Sequence, residues 1–122
     1  MQIVDANIVL RYLLNDTEEM AEEAAEILEN EKVYIPTEVI AEIIYVLEKV
    51  YQVKNEEIAV SLRELFRYKN IEVADGKVVE EALRVYSSRK LDFVDTLLFA
   101  YKKVRNYHVY TFDKKLKKLL NE

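Results

Sequence analysis

Four carboxylates fall where distant parts of the chain leave a strand or enter a helix. They are Asp5, in Ile3-Val4-Asp5-Ala6-Asn7; Glu42, shortly after Val33-Tyr34-Ile35-Pro36; Asp95, in Asp92-Phe93-Val94-Asp95; and Asp113, in Tyr110-Thr111-Phe112-Asp113. Acids drawn together from separate segments repel one another unless a cation holds them. All-oxygen donors suit a hard divalent ion. With no cysteine and a single histidine in the chain, a centre of this kind points to phosphate chemistry.

Those acids need a scaffold that gathers them. Apolar periodicity predicts strands at residues 2–5, 32–35, 70–74 and 108–111, separated by helices at 7–14, 17–30, 37–51, 55–68, 76–88 and 93–105, with a short Lys-rich helix to the end. Strands alternating with helices imply a parallel sheet covered on both faces. The expected class is α/β: a three-layer α/β/α domain spanning residues 1–122, with a central parallel sheet of four or five short strands. In such sheets ligands bind beyond the carboxyl ends of the strands. Asp5 and Asp113 sit at such ends, and Glu42 and Asp95 lie in helices within reach of that edge.

Each acid also has an ordinary reading. Asp is a preferred N-cap, and that role alone accounts for Asp5 or Asp113. Asp92 and Asp95 resemble a capping pair at N-cap and N3, and Asp92 is assigned to capping. Glu42 differs. On a helical wheel it lies at the border of the apolar arc, next to Val39 and Val46, so a half-buried carboxylate at the rim of the core is expected. Asn7 and Thr111, each two residues from an acid, are candidate supporting groups that orient a carboxylate or a bound water.

Composition narrows the class. The chain has 122 residues, one Gly, one Pro and a net charge of −5. Its longest apolar runs, such as Ile43 to Leu47, are five residues, far too short to span a bilayer. Met1-Gln2 leads straight into a strand, so no signal peptide is expected and a cytoplasmic location is. No Gly-rich phosphate loop exists, and no serine has a histidine placed to activate it. His108 opens a strand and reads as a surface residue. The nine tyrosines, among them Tyr12, Tyr45, Tyr51, Tyr101 and Tyr107, read as core and interface residues rather than a base-stacking platform.

Charge is uneven: residues 1–60 carry 14 acids and 4 bases, whereas residues 101–122 carry 2 acids and 7 bases. By composition alone the basic tail balances an acidic body. A second reading has Lys102, Lys114 and Lys115, with their basic neighbours, receive a polyanion such as RNA.

Taken in order, Ile3-Val4-Asp5-Ala6-Asn7-Ile8-Val9-Leu10, Ile35-Pro36-Thr37-Glu38-Val39-Ile40-Ala41-Glu42, Asp92-Phe93-Val94-Asp95-Thr96-Leu97-Leu98-Phe99-Ala100 and Tyr110-Thr111-Phe112-Asp113 resemble the PIN-domain family. The resemblance is greatest to the VapC-like toxins of prokaryotic toxin–antitoxin pairs, and it covers essentially the whole chain. Ala6 departs from the pattern, which often has a small hydroxyl residue there. The resemblance implies that Asp5, Glu42, Asp95 and Asp113 are catalytic residues holding one or two Mg²⁺ or Mn²⁺ ions, Asp5 and Asp95 most directly. It further implies metal-dependent endoribonuclease activity on an RNA substrate, a homodimer, and a small antitoxin partner. Two other classes compete: a non-catalytic PIN-like module that only binds RNA or protein, and a receiver-like signalling domain. The receiver design needs an acidic pair near the first strand, where this chain has Asp5 alone.

Overall fold

The computed structural model describes residues 1–122. In chain order the elements are β1 (Gln2–Ile3), α1 (Ala6–Leu14), α2 (Glu18–Asn30), β2 (Val33–Ile35), α3 (Thr37–Lys49), α4 (Asn55–Leu65), β3 (Ile71–Val73), α5 (Gly76–Ser88), α6 (Phe93–Arg105) and α7 (Lys114–Leu120). The strands pair in the order β1-β2-β3, all parallel, with Ile3 opposite Tyr34 and Ile35 opposite Val73. Helices cover the sheet in a three-layer α/β/α arrangement, as expected. No helix is long and apolar enough to cross a membrane.

The sheet has three strands, not four or five. The expected strand at His108–Thr111 is absent, and no backbone group from His108 to Phe112 bonds to another backbone group. Side-chain exposure still alternates along it: Val109 and Thr111 are half-buried, while His108, Tyr110 and Phe112 face outward. The period-two pattern therefore reports which side faces the protein. It does not supply the pairing partner that defines a strand.

Helical periodicity carries the rest of the fold. In α3, Ile40, Ile43, Ile44 and Leu47 form one buried face and belong to the same core cluster as Val33 and Ile35 of β2. In α2 the buried stripe is Ala21, Ala24 and Leu28, and Met20 is exposed. Tyr86 of α5 is the largest fully buried side chain, and it meets Phe93 of α6 edge-on. Asp75 adopts a left-handed φ of 43° and caps α5 at the Val78 N–H. The Arg105 guanidinium grips both of its oxygens, at 2.9 and 2.6 Å, which ties α6 to the start of α5. A small satellite cluster of Leu116, Leu119 and Leu120 packs α7 onto Leu91, Leu98 and Phe99.

The starts of α4 and α2 have no side-chain cap. Asn55 does not cap α4; Lys54 holds that position without a side-chain bond. The Asn55 amide instead donates to the carbonyls of Tyr86 and Arg89, closing the end of α5. Thr17 occupies the N-cap of α2 but makes no capping bond.

Candidate metal centre

Asp5 follows β1 and the buried Val4, and it enters α1 with extended backbone. Its Oδ1 accepts from the Ile8 N–H at 3.3 Å. Asp113 does the same for α7, accepting from the Leu116 N–H at 3.0 Å through Oδ1. In each carboxylate the second oxygen takes no protein hydrogen bond. The capping role is therefore real at both positions, and it leaves half of each carboxylate free to act as a ligand. Ala6, the departure from the family pattern, is buried in the core, where a hydroxyl would need a partner to offset its desolvation.

Glu42 is exposed on α3, not half-buried. Val39 and Val46 flank it as expected and are themselves only half-buried. Asp5, Asn7, Arg11 and Glu42 line one cavity of about 370 Å³ between α1 and α3. Glu42 also lines a second cavity, of about 390 Å³, with Glu48 and Asp92.

Asp95 lies half-buried in the first turn of α6. Its carboxyl is pushed above the usual carboxylate range, first by burial and then by the charges of Asp92 and Asp113. No basic side chain relieves it. Asp5, Glu42, Asp92, Asp95 and Asp113 form no ion pair, whereas seven other carboxylate contacts in the chain do. Shared cavities connect Asp5 with Glu42 and Glu42 with Asp92, and Asp95 lies within the field of Asp92 and Asp113.

The set does not close around a common point. No three acidic or imidazole side chains stand near enough together to hold an ion. The donor chemistry, oxygen only and free of competing cations, nevertheless matches Mg²⁺ or Mn²⁺. Closing the centre requires the exposed Glu42 and the free oxygens of Asp5 and Asp113 to turn inward.

Thr111 supports Asp113 directly, since its hydroxyl accepts from the Asp113 N–H at 3.0 Å. Asn7 is exposed and shares the Asp5–Glu42 cavity. The basic residues divide. Lys102 donates through Nζ to the Leu120 carbonyl and so fastens α7 to α6, Lys103 pairs with Glu81, and Arg105 with Asp75. Lys114 and Lys115 stay exposed and unpaired.

Two lining residues escaped the reading by residue pattern. Asp92 stands at the N-cap of α6 but makes no capping bond; its charge acts on Asp95 and its side chain on the Glu42 cavity. Its spacing of three from Asp95 was the available signal. Arg11, four residues after Asn7 on α1, lines the Asp5–Glu42 cavity. It is held there by Asp16 at 2.7 and 2.8 Å and by the Tyr51 hydroxyl at 3.1 Å.

The sequence profile described as PIN domain matches residues 3–120. The chain is similar to a protein of Aquifex aeolicus (strain VF5) named VapC ribonuclease, 31% identical over 124 residues that cover 98% of this chain and 92% of that protein. No solved structure matches it.

Proposed function

The chain belongs to the PIN-domain family, and on that premise we propose that it is a divalent-metal-dependent endoribonuclease, the toxin of a toxin–antitoxin pair. The observation that carries the reading is a set of unpaired acids: Asp5 and Glu42 line one cavity, Glu42 and Asp92 another, and Asp95 feels the charges of Asp92 and Asp113. The similarity to a protein named VapC ribonuclease supports the choice of RNA.

Asp5, Glu42, Asp95 and Asp113 would hold one or two Mg²⁺ or Mn²⁺ ions. Such an ion neutralises phosphate charge and makes water acidic enough to attack near neutral pH. The protein's own share is placement. Asp5 and Asp113 each hold one oxygen in a capping bond at a helix start and keep the other for a ligand. Asp95 sits where burial and like charges make its anion costly, so a cation or a proton is needed to settle it. Asn7 and Thr111 orient the neighbouring acids, and Arg11 would have to exchange its Asp16 partner to receive a phosphate in the Asp5–Glu42 cavity.

The same reading includes a homodimer and a small antitoxin that covers the acids, in the cytoplasm. Tyr45 and Val94 rim the Glu42 cavity and are largely exposed, which provides an apolar surface for such a partner. Tyr12, Leu13 and Leu14 pack against the core, while Val50 is exposed.

The openness of the acid set favours one rival: a PIN-like module that binds RNA without cutting it. Incubating a panel of structured RNAs with the protein and Mn²⁺, with and without chelator, separates the two. Cleavage that stops with chelator or with Asp5→Asn supports the nuclease. Binding without cleavage supports the module, and neither binding nor cleavage overturns both.

A further inference from the structure

Phe112 is 99% exposed and Tyr110 is 89% exposed. Both lie on the outward side of a segment whose inward residues are held. Val109 packs on the α7 cluster, and the Thr111 hydroxyl accepts the Asp113 N–H. The His108 ring meets Tyr110 edge-on at 4.4 Å and props it. Phe112 directly precedes Asp113. Lys114, Lys115, Lys117 and Lys118 follow, none of them in an ion pair. A wholly exposed phenyl ring adds nothing to the core that holds this segment in place.

We propose that Phe112 and Tyr110 form a stacking platform for unpaired RNA bases next to the cleavage site, with the four α7 lysines receiving the adjoining backbone phosphates. The proposal rests on the nuclease reading above and assigns two side chains of this chain to binding the bases. Aromatic rings stack on any base because every base has a π face, but only bases not already stacked in a duplex offer one. The lysines argue for nucleic acid over a protein partner, since lysine is depleted at protein interfaces and enriched where phosphates bind. Stacking at Phe112 would place the neighbouring phosphodiester beside Asp113 and would favour loops and single strands over helices.

The test uses the full chain carrying Asp5→Asn, so that RNA binds without being cut. A short single-stranded RNA containing 2-aminopurine is titrated in Mn²⁺ over a range of salt. Phe112→Ala and Tyr110→Ala are each expected to weaken binding about ten-fold. Phe112→Trp should restore it, and the quenching of 2-aminopurine should vanish with Phe112→Ala alone. The slope of log affinity against log salt should not change, because no phosphate contact is lost. Replacing Lys114 and Lys115 by Gln should reduce that slope by about 1.4.

Unchanged affinity in Phe112→Ala overturns the platform. So does a lower melting temperature in that variant, which would mean that the ring packs within the chain, as on the open edge of β1. A dimer that dissociates on Phe112→Ala while RNA affinity holds assigns the ring to a second copy and overturns it as well. If the unmutated protein cuts RNA while Phe112→Ala binds normally, the platform fails alone. If it neither cuts nor binds RNA, the function fails with it.

Discussion

Oδ1 of Asp113 accepts the Leu116 N–H at 3.0 Å while Oδ2 takes no protein hydrogen bond, so one carboxylate starts α7 and still has an oxygen to offer. Cap and ligand make different demands on the side chain. Asn caps as well as Asp, but it brings no charge to a metal. Asp113→Asn should therefore unfold within about 0.5 kcal/mol of the native chain and lose most RNA cleavage. Asp113→Ala should lose the cleavage and also about 1 kcal/mol of stability. Denaturant melts beside cleavage rates decide it; an active Asp113→Asn protein would leave the residue a cap and nothing more.

Glu42 invites the opposite contrast. Its carboxylate is exposed, makes no hydrogen bond and forms no ion pair, so Glu42→Gln should leave stability within about 0.5 kcal/mol. Cleavage should fall by more than about 100-fold if the carboxylate is a ligand, since even the partners of ligands are worth 10–100-fold. Comparable rates in the variant would remove Glu42 from the centre.

The fold was largely readable from residue pattern because most of its elements are helices packed on one face. Positions such as Ile40, Ile43, Ile44 and Leu47 repeat at helical spacing and are buried together. Pattern failed where the answer depends on a distant neighbour. His108 to Phe112 has the alternation of a strand and no partner strand. The helical wheel put Glu42 at the correct border but could not show that nothing covers it. Asp92 holds the cap position of α6, yet a cap needs a rotamer as well, and here the residue makes no capping bond and lines the Glu42 cavity. Residue pattern singles out four acids as candidates but not their spacing, because that depends on how α3 and α6 sit against each other.

Glu81 joins α5 to α6 through Lys103 at 3.0 Å and pairs with Arg84 at 2.7 Å. The Arg84 hydrogen bond foremost, with help from Lys103, lowers its carboxyl from 4.5 to about 2 against an opposing desolvation. The folded state thus binds fewer protons than the unfolded state between those values. The pairing stabilises the fold fully above about pH 4.5 and is lost as pH falls through about 2. Both cationic partners are half exposed, so screening reduces the contribution to ~1 kcal/mol. Glu81→Gln should melt lower than the native chain at pH 7 and at the same temperature near pH 2. An equal deficit at both pH values would assign the loss to packing.

The acids that repel one another also predict a response to metal that needs no substrate. Asp95 carries a carboxyl made costly by burial, Asp92 and Asp113, and no side-chain cation offsets it. An ion that bridges these groups binds the folded chain and not the unfolded one. At 100 times its dissociation constant it would add about 2.7 kcal/mol, which for a domain of this size raises the melting temperature by roughly 10 °C. Asp5→Asn and Asp95→Asn should each shrink the Mn²⁺-induced shift, whereas Glu81→Gln, remote from the centre, should keep it in full. The side chains must move to make that site, so the shift is also a direct measure of whether they do. A melting temperature indifferent to Mn²⁺ in the native chain would mean that the acids stay apart, and a metal-dependent reaction would then lose its physical basis.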